Sequence, residues 1–262
     1  MNKALSAKSL FHFTPELEYL KSILSNGVSP RYCIEDISSF SPLPGLDEVA
    51  QPMACFCDIT LSSIHHHISK YGYYGVGLSK DWGMKNNITP VKYLHKNSIT
   101  GKLYRQSFNM AKKFNMPDEA YDFILGPMLA LGNFFKSIEG KMFKDGKWSD
   151  ETYNFYDERE WRYIPVNQIE SAMEEGHMVR TFLKKDEFMI GSVKEYHNLQ
   201  TAKYCSLKFE ASDIKYIFVK SESQIDEMVA FLAEVFNLGK EGLSINHFYG
   251  KLVSIENLLE DM

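Results

Sequence analysis

Residues 10–27 confine the start of this chain to one local geometry. Leu10-Phe11-His12-Phe13 is a short apolar, aromatic run that reads as a strand, and Thr14-Pro15-Glu16 after it reads as a helix start. The Thr14 hydroxyl can cap free amides, and Pro15 at the first helical position loses nothing by lacking its own amide hydrogen. Leu17, Leu20, Ile23 and Leu24 recur at helical spacing, and Gly27 supplies a left-handed stop. His12 is thereby expected at the end of a strand, beside a rigid helix.

Further on, residues 36–52 carry Ser38, Ser39, Ser41, Pro42, Pro44, Gly45 and Pro52 and read as a long loop. Met53 to Cys57 is the next expected strand. A short helix capped by Thr60 follows, with Leu61, Ile64, Ile68 and Tyr71 along one side and Gly72 at its end. Tyr73–Ser79 and Thr89–His95 read as strands. Between Asn97 and Tyr153 the pattern turns helical, with apolar clusters at Phe123, Ile124, Met128, Leu131 and Phe134-Phe135, which suggests a helical insertion. Strand character returns at Glu160–Val166, Ala202–Phe209 and Ile214–Lys220, before a last helix through Ile225, Met228, Val229, Leu232 and Phe236. Strands that cluster without strict strand–helix alternation point to an α+β fold. The expected organisation is a single domain over 1–262 with a helical insertion at about 97–153.

Hydrophobic residues make up 44% of 262, enough to bury a core without disulfide staples. Twenty-nine Lys and Arg against 34 Asp and Glu leave a net charge of −5, so no global basic field exists to hold a phosphate backbone. Cys33, Cys55, Cys57 and Cys205 match neither a secreted disulfide framework nor a paired zinc motif. Met1–Leu10 lacks a long apolar run, and nowhere do 18 apolar residues follow one another, so a cytoplasmic protein with no membrane partner is expected. No glycine fingerprint of a dinucleotide fold or phosphate loop is present.

Three segments could carry chemistry. A lone histidine on an apolar strand is usually a satisfied core residue, but His12 precedes a helix N-terminus whose free amides favour an anionic ligand. Glu158, Glu160 and Arg162 alternate, so on a strand they would share a face. Three charges on one face usually mark a solvated edge strand. Alternatively one carboxylate, Glu160, lies in a cleft and stabilises an oxocarbenium-like sugar cation, with Arg159 or Arg162 managing the charge around it. The third segment, Met53–Ser79, holds Cys55, Cys57, His65, His66, His67, Tyr71, Tyr73 and Tyr74. Three successive helical histidines fan out rather than converge on a metal, while the tyrosines could stack a nicotinamide or base ring. Arg31 could pair with a phosphate, or form a surface salt bridge to Glu35 or Asp36.

Three blocks together resemble the AbiGi family of bacterial abortive phage resistance proteins. They are Phe11-His12-Phe13-Thr14 with Leu20, Ile23, Leu24 and Gly27; Met53–Ile59 with Tyr71–Lys80; and Glu158-Arg159-Glu160-Trp161-Arg162. Members of that family are described as antitoxins of abortive-infection systems. The same blocks are also similar to a divergent, DarT-like ADP-ribosyltransferase. That resemblance implies a split β core and NAD as substrate, with His12 and Glu160 catalytic and His12, Phe13, Thr14, Arg31, Tyr71 and Tyr73 binding the dinucleotide. It implies a nucleic-acid or protein acceptor, and leaves Ser62, Tyr71, Tyr73 and Tyr74 as alternatives for the central motif and Glu158 as an alternative to Glu160. Three functions follow as expectations: an anti-phage ADP-ribosyltransferase, a non-catalytic antitoxin bound to a partner protein of a defence operon, or a nucleotide sensor.

Overall fold

The computed structural model describes residues 7–43, 45–113, 118–237 and 244–260. The chain begins β1 (Ser9–Thr14), α1 (Leu17–Asn26), β2 (Arg31–Asp36) and β3 (Glu48–Cys57), followed by α2 (His65–Tyr71), β4 (Tyr74–Ser79) and α3 (Lys80–Lys85). Next come β5 (Thr89–Pro90), β6 (Lys92–Leu94), α4 (Ile99–Lys113) and α5 (Asp118–Gly132). Five short strands follow: β7 (Phe135–Ser137), β8 (Glu139–Gly140), β9 (Phe143–Lys144), β10 (Lys147–Trp148) and β11 (Tyr153–Asn154). The remainder is β12 (Glu160–Tyr163), α6 (Val166–Glu174), β13 (Leu183–Lys184), α7 (Lys185–Met189), α8 (Gly191–Tyr204), β14 (Ile214–Val219), α9 (Ile225–Val235), α10 (Asn246–Tyr249), β15 (Leu252–Ser254) and α11 (Ile255–Glu260). This is an α+β fold, as the order of elements implied. The described residues fall into two compact units.

The first unit lies within Met1–Ser29, Cys55–Ile88 and Ser206–Met262. Its strands run β15-β14-β4-β1, with the end of β3 beside β1. β1 pairs antiparallel with all of β4, from Ser9 opposite Ser79 to Thr14 opposite Tyr74. Phe11 faces Gly77 and Phe13 faces Gly75, and a Cβ on either glycine would run into the ring opposite. The Gly-Val-Gly of β4 is therefore space for two aromatic rings. Those rings join Phe218, Ile64, Ile68 and Ile255 in an apolar layer.

The second unit lies within Pro30–Ala54 and Thr89–Cys205. Here β3 pairs antiparallel with β2, from Arg31 opposite Met53 to Asp36 opposite Glu48, and with β13 at Ala50. β12 lies next to β3, with β5 on its other side. Alternation along β2 sends Tyr32 and Ile34 into a core with Ala50, Leu183 and Phe188, and turns Arg31, Cys33 and Glu35 to the other face. A second core gathers Ile37, Phe40, Val49, Tyr104, Phe108, Leu125 and Phe135 under α4 and α5.

Several expectations need correction. Thr14 does not cap α1: it is the last residue of β1, extended and buried, and the helix starts at Leu17 with Glu16 at the cap position. The strand expected from Met53 starts at Glu48, because β2 and β13 supply hydrogen-bond partners for that part of the presumed loop. Pro44 and the side chains of Phe123 and Ile124 lie outside the described residues. Helix in the insertion ends at Gly132. The segment beyond folds as short strand pairs, one of which turns on Asp145 and Gly146, at φ 51° and 81°, between Lys144 and Lys147. Paired positive φ values at Asp-Gly are the signature of a two-residue hairpin turn. The strand expected over 202–209 is the end of α8 followed by a single bridge, Val28 to Leu207.

Candidate functional site

In the second unit five charged side chains close around one another. Glu160 and Arg162 alternate on β12 and so share a face, and they are 4% and 1% exposed. Arg162 donates through Nε to the Glu160 carboxylate, through Nη2 to Glu35 at 2.8 Å, and through Nη1 to the Asn133 carbonyl at 3.0 Å. Lys136 on β7 places its ammonium 2.6 Å from Glu160, 3.2 Å from Glu158 and 3.8 Å from Glu35. The same ammonium stands 4.6 Å from the centre of the Phe155 ring. The backbone of Glu160 is tied down as well, its amide donating to the Tyr93 hydroxyl at 2.8 Å and its carbonyl accepting from Val91 at 3.0 Å.

Local sequence explains how two nearby carboxylates reach one lysine. Phe155–Glu158 forms a 3-10 turn, capped where the Asn154 side chain accepts from the Tyr156 amide. Arg159 then takes a left-handed conformation, φ 45°, and re-aims the chain into β12. Glu158 therefore reaches Lys136 from a turn, not from the strand expected of it. The expected solvated edge face is also corrected: Glu158, Glu160 and Arg162 are all buried.

The electrostatics follow from this enclosure. Burial alone would raise the Glu160 pKa, but Arg162 and Lys136 outweigh it and hold the carboxyl far below the ordinary carboxylate value. Burial alone would lower the Lys136 pKa, and the carboxylates of Glu160, Glu35 and Glu158 instead push it well above the usual lysine value. Glu160 is thus a fixed anion whose charge is matched by two cations. It can brace a strand or orient a neighbour. It has no proton to donate, and its field on a developing sugar cation is offset at close range.

The other expected site residues are placed as follows. His12 is half-buried in the first unit, with Nδ1 2.8 Å from the Cys55 carbonyl and its ring 5.5 Å from that of Phe56. A carbonyl only accepts, so Nδ1 carries the proton and Nε2 is left as an acceptor. Burial lowers the His12 pKa more than the bond to Cys55 raises it, which favours the neutral ring. Phe13 points to the opposite face of β1, into the layer with Phe218, and Thr14 is buried. Tyr71 lies 6.0 Å ring to ring from His67, and the exposed Tyr73 carries the Lys220 ammonium 5.7 Å from its ring centre. Tyr74 accepts from Gln224, and the Ser62 hydroxyl lies 2.8 Å from that of Thr60. Arg31 is exposed on β2 in the second unit, and the salt bridge foreseen to Glu35 is replaced by those from Arg162 and Lys136.

Of the fanned histidines, His65 and His66 are exposed and His67 is buried. Among the described residues no three His, Cys, Asp or Glu side chains gather as a metal site, and no helix is long and apolar enough to cross a membrane. Sequence reasoning missed Lys136, Tyr93 and Asn133, and it gave Glu35 to Arg31 where the structure gives it to Arg162 and Lys136. Asp145-Gly146 is a local hairpin signal that could have revealed strands near Lys136, and nothing local marks Lys136 as the counter-charge of Glu160.

A family model described as "Putative abortive phage resistance protein AbiGi, antitoxin" matches residues 26–220. The match takes in all five residues of the buried ion cluster, and His12 precedes it. A relative from Lactococcus lactis subsp. cremoris, "Abortive phage resistance protein AbiGi", is 31% identical over 221 residues, covering 78% of this chain and 86% of that protein. No solved structure matches the chain.

Proposed function

This chain belongs to the AbiGi family of abortive phage resistance proteins, and from that premise we propose that it is the antitoxin of an anti-phage abortive-infection system, restraining a toxin by direct contact rather than by turnover. The observation that carries this reading is the enclosure of Glu160. The carboxylate that transferase chemistry would need is buried and matched by Arg162 and Lys136. Such a cluster supports a rigid binding scaffold, because a fully partnered buried network specifies one arrangement. The test is co-expression with the toxin of the same system. Relief of growth arrest, and a complex of the two purified proteins, is the expected result; a toxin equally active with a stoichiometric excess of this protein rejects the reading.

A second reading rests on His12. A neutral ring with Nδ1 tied to Cys55 presents Nε2 as an acceptor for a hydroxyl such as that of a ribose. On this reading NAD is a substrate, the bond from ribose to nicotinamide breaks, and a nucleic-acid or protein nucleophile takes the ADP-ribosyl group as it loses a proton. Nicotinamide release from NAD that disappears in His12→Ala would replace the antitoxin with the transferase. A rise in melting temperature on adding NAD, without release, would mark the nucleotide sensor.

A further inference from the structure

We propose that the outer face of α4 is the surface that grips the toxin, and that the toxin meets it with an acidic surface around an apolar centre. The inference rests on the antitoxin reading and adds to it the surface and the chemistry of the partner.

α4 has two apolar faces. Tyr104, Phe108 and Ala111 turn inward to the core with Phe40 and Phe135 and are at most 8% exposed. Tyr104 also donates to the Met128 carbonyl at 3.0 Å, which fixes the helix against α5. On the other side Ile99, Leu103 and Met110 are 67%, 54% and 58% exposed. At about 100° per residue, these three positions fall within roughly 40° of one another, so they form one stripe down the helix. The inward face already satisfies the packing of the unit. The outward stripe therefore has no role within the second unit's core.

Charge says what covers it. The sequence of α4 contains Lys102, Arg105, Lys112 and Lys113 and no acidic residue, in a chain whose net charge is −5. Arg105 is committed inward, donating to the Ser39 carbonyl. Lys102 and Lys113 are exposed and lie on the same side of the stripe, within roughly 80° of its centre. An apolar stripe with a cationic flank is complementary to an apolar groove with an acidic rim, the usual arrangement for a helix seated on a protein.

The alternatives fit less well. A second copy docking through this face would do so about a two-fold axis, which brings the same patch against itself and sets lysine against lysine. A bilayer would take the broad aromatic face, and that face is turned inward. A nucleic acid would use the lysines but would gain nothing from the three apolar side chains at the centre.

The experiment compares the intact protein with Leu103→Glu/Met110→Glu and with Lys102→Glu/Lys113→Glu, measuring affinity for the purified toxin by calorimetry. All substituted positions are exposed, so circular dichroism and melting temperature should match the parent. Both variants are expected to bind at least tenfold more weakly, and the parent's affinity should fall with added salt. Parent and variants binding the toxin equally would overturn the α4 surface and leave the antitoxin reading standing. A parent that neither binds the toxin nor relieves arrest would remove that reading, and this inference with it. The same proteins are tested for self-association, for binding to vesicles of phosphatidylglycerol and phosphatidylethanolamine, and for binding to a random-sequence DNA duplex. Loss of any of these in the variants, with toxin binding unchanged, would reassign the face to that occupant.

Discussion

Arg162 donates through Nε to the carboxylate of Glu160, two residues back on the same strand, and both side chains are almost wholly removed from solvent. Removing one member of such a pair leaves its partner charged and unmatched. Arg162→Ala strips a cation from both Glu160 and Glu35 and is expected to lower the unfolding free energy by about 3–5 kcal/mol. Urea denaturation at neutral pH reads this directly. A midpoint within error of the parent would mean that the cluster does not hold β12.

The same pair sets an acid limit on stability. Arg162 and Lys136 hold the folded Glu160 pKa far below the unfolded value of about 4.3. Below the unfolded value the denatured chain binds the proton first. The contribution is therefore complete above about pH 4.3 and is lost as pH falls from there toward the depressed folded pKa. Melting temperature followed from pH 6 to pH 3 should drop less steeply in Glu160→Gln than in the parent, even though the variant starts lower. Parallel slopes would remove Glu160 from the acid response.

His12 should titrate below the ordinary histidine value, because burial outweighs its bond to Cys55. The folded state then prefers the neutral ring. Stability from this group is full above about pH 6.5 and declines as pH falls below it toward the depressed folded pKa. Nitrogen-edited NMR of the imidazole is expected to find the proton on Nδ1 and a midpoint under 6.5. A proton on Nε2 would contradict the bond to the Cys55 carbonyl.

Gly72 ends α2 at φ 114°, and a Cβ there would collide with the backbone of Thr14 and Pro15. Gly72→Ala combines a disfavoured backbone region with a clash against atoms that cannot rotate aside, so a loss of at least about 1–3 kcal/mol is expected. Gly176 has a similar φ of 84° but nothing within 4 Å of a Cβ, and Gly176→Ala should cost less. Thermal melts of the two variants side by side separate strain from collision.

Parts of this molecule are legible in its sequence. The apolar run at residues 10–13 became β1, the spacing of Leu17, Leu20 and Leu24 became α1, and Gly27 stops that helix at φ 82°. These signals are local: side-chain period and glycine freedom act within a few residues. The region after Gly132 was misread because its strands are two or three residues long, too short to show a period.

Sequence alone determined the α+β class, the main strands and helices, and the resemblance to an abortive phage resistance family, since each rests on neighbouring residues and their order. Tertiary structure decided the meaning of the charges. Glu160 and Arg162 look like a solvated face until Glu35, 125 positions earlier, and Lys136 are brought against them. Whether a carboxylate is a free reagent or a neutralised brace depends on its distance to opposite charge and to water, and those distances are set by how the strands pair rather than by the residues on either side.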